Sequence, residues 1–298
     1  MDKTLDFAAP LQCPMPDLNT SRPKFKIPAG AVDTHCHIYE PPEIYPYEGK
    51  PWYLPPAIGL DGYIRMMGAI GVERGVFVQA AIFKDNAVIL DAMAAYPGKF
   101  RAVAAISESI SDAELERLNT AGVRGFRANL VSGKGVQFDA ARRLSRRVKD
   151  LGWHTEFLID AEAFPRMDET FADFPTEVVI DHMGRPVVGL GTHAPGFQSL
   201  IRLLKAGRAW SKFSAPYRTS KDPKRYLDMI PFGQALVLEV PDRLVWGTDW
   251  PHVNMEPGAP MPNDGHLLDL LSMYTDSPEI QKKILVTNPE KLYGFSAA

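Results

Sequence analysis

Three short segments far apart in the chain carry the residue types of hydrolytic chemistry. They are Asp33-Thr34-His35-Cys36-His37, Asp181-His182-Met183-Gly184-Arg185 and Gly247-Thr248-Asp249-Trp250-Pro251-His252. His35 and His37 are two residues apart, so on an extended strand both imidazoles point to one face and Cys36 to the other. Joined by His182 and Asp249, they make a set that can hold one divalent metal such as Zn²⁺. The same set can instead polarise a carbonyl while the carboxylate activates water. Both uses are hydrolytic.

Such residues meet only if the fold gathers the ends of their strands. After an irregular, proline-broken arm over 1–30, β-branched runs alternate with amphipathic runs. The strand candidates are 31–39, 71–81, 100–107, 122–130, 153–160, 176–184, 210–215 and 243–251. Asp61, Asp85 and Asp112 stand where helix N-caps belong, and Gly71, Gly122, Gly152 and Gly207 where helices should stop. Strand then helix, eight times, predicts an α/β fold with one closed parallel (β/α)8 barrel of the TIM type over 31–298. In that fold the site lies at the C-terminal ends of the strands, where His35, His37, His182 and Asp249 all fall.

Three arginines fall there too: Arg127 toward the C-terminal end of the fourth strand, Arg185 after the sixth and Arg218 past the seventh. Guanidinium groups stay charged and grip carboxylates with two N–H groups, so several in one mouth favour an anionic substrate. The irregular insert 40–56 follows the first strand and is expected to cover the mouth; its Tyr45, Tyr47, Trp52 and Tyr53 either lid the pocket or simply cover the barrel, and Tyr53 is the one to test. His252 either joins the site or is turned away by Trp250-Pro251. His154 opens its strand at the wrong end and reads as structural, and Cys36 as a small apolar filler facing the helices.

The 33 basic and 36 acidic residues, with no long run of either sign, exclude an electrostatic footprint for nucleic acid or anionic membrane. Two cysteines are too few for a disulfide framework, and the first thirty residues contain no apolar stretch of signal-peptide length, so a cytoplasmic enzyme is expected.

The chain resembles the amidohydrolase superfamily and, within it, the 2-pyrone-4,6-dicarboxylate lactonases and their relatives. The resemblance rests on the His35/His37 segment, KPWYLPP, GVRGFRAN, IDHMGRP, GTDWPH and LVTNPEKLYGF, in the family's order, and spans nearly everything after residue 30. It implies a distorted barrel that opens an anionic carboxylated lactone, of pyrone-dicarboxylate or muconolactone type, from aromatic or sugar-acid catabolism. Asp249 would be the general base, with His35, His37 and His182 around the lactone carbonyl. Arg127, Arg185, Arg218 and Tyr53 would hold substrate carboxylate. No metal would be required, although related lactonases use a divalent ion, and the lysine that bridges two metals in many superfamily members is absent from strand five. Two departures bear on the substrate: Gly133 and Lys134 stand where the dicarboxylate enzymes carry a second arginine, and Leu158 where they carry a tyrosine. The other readings of the same residues are a metal-dependent decarboxylase of an aromatic acid and a silent carboxylate-binding barrel.

Overall fold

The computed structural model describes residues 10–131, 135–255 and 258–297. Eight strands follow one another as parallel neighbours: β1 (Val32–Cys36), β2 (Arg74–Val78), β3 (Phe100–Ala104), β4 (Val123–Asn129), β5 (His154–Leu158), β6 (Val178–Ile180), β7 (Ala209–Phe213) and β8 (Leu244–Trp246). The ring closes at its mouth, where Asp249 N donates to His35 O at 2.7 Å and His37 N to Trp250 O at 2.8 Å. The main covering helices are α1 (Gly59–Ile70), α2 (Ala87–Ala95), α3 (Asp112–Ala121), α4 (Phe138–Val148), α5 (Pro195–Lys205), α6 (Ile230–Glu239) and α7 (Asp264–Tyr274). Among the described residues no helix is long and apolar enough to cross a membrane.

Two apolar layers hold this together. Val32, Val76, Val78, Val103, Val179, Trp210 and Val245 meet inside the barrel, closed from below by Tyr293 and Phe295 of the C-terminal segment. The outer layer packs the helices on the sheet and contains Cys36, whose thiol meets Val76 O on the outer face as expected of a filler. His154 also behaves as a buried structural group, its ring edge-on to Tyr293 at 5.2 Å.

A bulge in β1 decides which residues reach the site. Asp33 pairs with Gly75 and Cys36 with Phe77, so β1 advances three residues where β2 advances two. Strict alternation from Val32 would turn His35 away from the interior. The extra residue resets the phase, so that Val32, His35 and His37 all face inward. Asp33 then faces outward and accepts from His35 N, Thr248 N, Thr248 Oγ1 and Tyr63 Oη, which ties β1 to the segment after β8 and to α1.

The structure corrects several boundaries. The sixth strand was expected to reach residue 184 but ends at Ile180, because His182, Met183 and Arg185 take left-handed backbone (φ 53°, 56° and 50°). Asp112 is the first residue of α3, whose cap is Ser111, accepting from Glu114 N at 3.1 Å. Asp61 lies inside α1 behind Ile58, and Asp85 accepts from Ala87 N while Asn86 occupies the cap position of α2. Gly71, Gly122, Gly152 and Gly207 do stand with positive φ just past their helices. Over its described residues, 10–30, the arm is irregular except at Leu11–Gln12, which pairs in parallel with Tyr53–Leu54, and it is tied to α7 by Ser21 on Asn263 and Lys24 N on Asp269. This pairing holds Trp52 and Tyr53 at the mouth, whereas Tyr45 bonds Asp91 and Tyr47 packs on Phe83 outside it.

Gly247 sets how closely β8 approaches β1: a Cβ there would stand 2.7 Å from both His35 Cβ and His35 N. Overpacking of this kind costs about 1–3 kcal/mol. Gly247→Ala is therefore expected to lower Tm by roughly 2–8 °C, measured by circular dichroism melting; an unchanged Tm would contradict this packing.

Candidate active site

Asp249 occupies the centre of the mouth on left-handed backbone (φ 62°) with its side chain 1% exposed. Its two carboxylate oxygens have different surroundings. Oδ2 accepts from Tyr217 Oη at 2.6 Å and from Arg218 Nε and Nη2 at 2.9 and 2.7 Å. Oδ1 faces two imidazoles, His35 Nε2 at 3.4 Å and His37 Nε2 at 3.3 Å. His37 Nδ1 lies 2.6 Å from Val78 O, and since a carbonyl only accepts, that nitrogen is the donor, which fixes the ring with Nε2 toward Asp249. His182 is brought to the same mouth by the left-handed turn after β6, its Nδ1 held by Ser214 Oγ at 2.8 Å.

Below the mouth lies a buried charge cluster absent from the sequence reading. Lys212 of β7 and Glu156 of β5 are in direct contact, and Lys212 Nζ lies 3.1 Å from His35 Nδ1 and 3.5 Å from Asp181 Oδ1. Asp181 in turn meets His35 Nδ1 at 3.2 Å and Arg127 Nη2 at 2.9 Å. Lys212, Glu156 and Asp181 are completely buried. The signal in the sequence was strand phase: Lys212 is two residues from interior Trp210, and Glu156 two from interior His154.

Burial and pairing fix the charge states. Burial alone would raise Asp249, but the Arg218 guanidinium, the leading opposing influence, outweighs it and holds the carboxyl well below its usual range. Burial holds His182 down to about 3 and, with Lys212 close by, His35 well below 6.5. Burial and then the like charge of Asp181 push Glu156 up to about 8. Asp181 is held low against burial, chiefly by Arg127.

Of the eight site residues named from the sequence, His37, Tyr53, Arg127, His182, Arg185, Arg218 and Asp249 line a single cavity of about 150 Å³, and His35 stands buried behind it. Each of the three arginines already carries a carboxylate: Arg127 has Asp181, Arg185 has Asp160 at 3.2 Å, and Arg218 has Asp249. Tyr53 exchanges a 2.9 Å hydrogen bond with Tyr39. Leu158 also lines the cavity, whereas Gly133 and Lys134 lie outside the described residues. His252 is turned away from it, toward Tyr217 and Asp264.

Of the four residues named from the sequence as a possible metal set, His35, His37 and Asp249 present atoms close enough to share an ion, and His182 forms a second such trio with His35 and Asp181. The first trio fits one divalent ion in donor chemistry: two nitrogens and one carboxylate oxygen, with His37 Nδ1 anchored on a carbonyl and buried His35 Nε2 without a hydrogen-bond partner among the described residues.

A parallel barrel with His-x-His on its first strand and Asp after its eighth defines an amidohydrolase, and the chain belongs to that family: the amidohydrolase model matches residues 32–295. The chain is 40% identical to a 2-pyrone-4,6-dicarboxylate hydrolase of Comamonas testosteroni over 92% of its length and 93% of that protein's. It is 33% identical to a 4-sulfomuconolactone hydrolase of Hydrogenophaga intermedia over 95% of both. A ligand-free crystal structure from Agrobacterium tumefaciens superposes with a TM-score of 0.83 at 27% identity, covering 94% of this chain and 99% of that one.

The charge states have a direct test. A histidine whose pKa is depressed by folding gives stability that is complete above about pH 6.5 and is lost as the pH falls toward the folded value, at about 1.4 kcal/mol per pH unit for each ring. His182 and His154, both held to about 3, and His35, held low, should therefore stay neutral from pH 8 to pH 5. Side-chain NMR titration reads this, and a midpoint between 5 and 7 for any of the three would contradict the buried arrangement.

Proposed function

We propose that this protein is a lactonase that opens the ring of a carboxylated lactone. The observation that carries the reading is the division of Asp249. One oxygen is committed to Arg218 and Tyr217, and the other is turned toward His35 and His37 beside a cavity lined by three guanidinium groups. Both curated relatives described above are named as lactone hydrolases, which supports the same reaction class here.

In this reading Asp249 Oδ1 takes a proton from water, the hydroxide adds to the lactone carbonyl, and Asp249 returns the proton to the ring oxygen as it leaves. With Ser214 Oγ–H donating to its Nδ1, His182 offers Nε2–H to the oxyanion. The substrate carboxylate selects the chemistry as well as the ligand. In the free protein Arg218 depresses the basicity of Asp249. A carboxylate that draws the Arg218 fork toward itself relieves Asp249 and raises its basicity, so neutral lactones lack both the anchor and the activation. Leu158 adds that the group facing it is smaller or less polar than the second carboxylate of a pyrone dicarboxylate. Two unpaired thiols, Cys13 and Cys36, fit a cytoplasmic setting, and the names of the relatives favour aromatic catabolism.

We further propose that hydrolysis needs no metal. The Arg218 guanidinium already neutralises Asp249, and the Lys212 ammonium lies against His35, so a dication at His35, His37 and Asp249 would meet two fixed positive charges. An ion bound there would act as a Lewis acid on the carbonyl.

Asp249→Asn keeps the shape of the side chain but removes the base, and lactone hydrolysis, followed by acid release, should fall about 10²- to 10⁴-fold while the fold is retained. Near wild-type turnover would sink the assignment. Turnover should also survive chelation of protein purified without added metal, with sub-stoichiometric metal by elemental analysis; one tightly held zinc per chain and chelator-sensitive activity would reverse the metal-free reading.

A further inference from the structure

Behind Oδ2 of Asp249, beyond Arg218, three groups stand in a row: Tyr217, His252 and Asp264. Tyr217 Oη, which donates to Asp249 Oδ2 at 2.6 Å, lies 3.3 Å from His252 Nδ1. His252 Nε2 lies 3.1 Å from Asp264 Oδ1. His252 and Asp264 are 1% and 0% exposed, and among the described residues the remaining oxygen of Asp264 has no hydrogen-bond partner, so this buried carboxylate depends on His252. Asp264 opens α7, where the helix N-terminus favours a negative charge. The rings of Tyr217 and His252 meet edge to face at 5.4 Å. Two backbone turns hold the chain in register: His252 N donates to Asp249 O at 3.0 Å, and Arg218 N to Ala215 O at 3.1 Å. Both turns use left-handed non-glycine residues, Asp249 and His252 in one and Ala215 in the other, a conformation that costs of order 1–3 kcal/mol per residue and persists where the surroundings over-determine it.

Neutralising Asp249 is already the work of Arg218, and a phenol adds no charge. What a phenol adds is a direction. A carboxylate with one anchored oxygen presents the other along a fixed line, and a carboxylate without an anchor turns about Cβ–Cγ. The anchor matters most when Arg218 is shared with a substrate carboxylate, because Tyr217 is then the donor that stays on Oδ2. Burial and the nearby Asp249 charge outweigh Arg218 and push the Tyr217 phenol well above its usual value, so it keeps its proton.

We propose that Tyr217, backed by His252 and Asp264, is a positioning residue that commits Oδ2 of Asp249 and thereby aims Oδ1 at the water and the lactone carbonyl. This rests on Asp249 being the base of a lactonase, and the test separates the two ideas. Crystal structures of the wild type and of Tyr217→Phe, each soaked with benzoate as an unreactive carboxylate that draws on Arg218, read the carboxylate without turnover: a turned or doubly oriented Asp249 in the variant supports the proposal, and a carboxylate torsion unchanged within 20° with benzoate on Arg218 overturns it, whatever the protein hydrolyses. If the wild type opens no carboxylated lactone, the reading of Asp249's reaction falls while the torsion still decides the anchor. With turnover in hand, Tyr217→Phe should lower kcat about 10- to 100-fold and change KM less than threefold, the scale expected of a misaimed group. In the Asp249→Asn background the same change should cost nothing further, since it acts through the carboxylate. His252→Gln, whose amide can still donate to Asp264, should keep most of the activity that His252→Leu loses. A Tyr217→Phe enzyme within twofold of wild-type kcat, or one whose loss is equally large in the Asp249→Asn background, overturns the proposal.

Discussion

The carboxylate of Asp249 is asked to do two incompatible things, to stay ionised in a buried place and to keep an oxygen available. The protein separates them by oxygen. Arg218 and Tyr217 take Oδ2, which holds the group ionised against burial, and Oδ1 is left facing His35 and His37. Much of the local architecture follows from that division. The left-handed backbone at Asp249 and the Ala215 turn bring the two loops together, and the β1 bulge returns His35 and His37 to the interior. Asp33 ties β1 to Thr248 immediately before Asp249.

Beneath this lies a second layer of charge that supports it. Lys212, Glu156, Asp181 and Arg127 form a largely buried network in contact with the far side of His35. Unpaired, any of them would be costly to bury; paired, they hold the imidazole against Asp249 from behind. The same network explains why Arg127 is more than a ligand for substrate: its charge is already engaged in keeping Asp181 ionised. Anion recognition in the mouth is therefore a matter of sharing guanidinium groups between protein and substrate carboxylates, and Arg218 is where that sharing reaches the base.

The order of strands, the closed barrel and the convergence of His37, His182 and Asp249 could be read from strand-and-glycine punctuation and from where polar residues fall on strand ends. The interior placement of His35 was reached by alternation within the His-x-His pair, although alternation from Val32 alone would have reversed it; the bulge that reconciles the two leaves no mark in residue types. Strand β6 was overextended because the left-handed turn starts at His182 and Met183, ahead of the one glycine that marks it, Gly184. Lys212 and Glu156 escaped because a charged residue in mid-strand reads as outward-facing unless the phase of the interior is known. His252 stood undecided because its role depends on Asp264, twelve residues away and on a helix, a pairing that only the folded chain reveals.

The most direct test is the structure of the Asp249→Asn protein with a carboxylated lactone bound. The account requires the substrate carboxylate to share the Arg218 guanidinium and the lactone carbonyl carbon to face residue 249 on the side of His35 and His37, with His182 in reach of the carbonyl oxygen. A lactone whose carboxylate avoids Arg218, or whose carbonyl points away from residue 249, would contradict it.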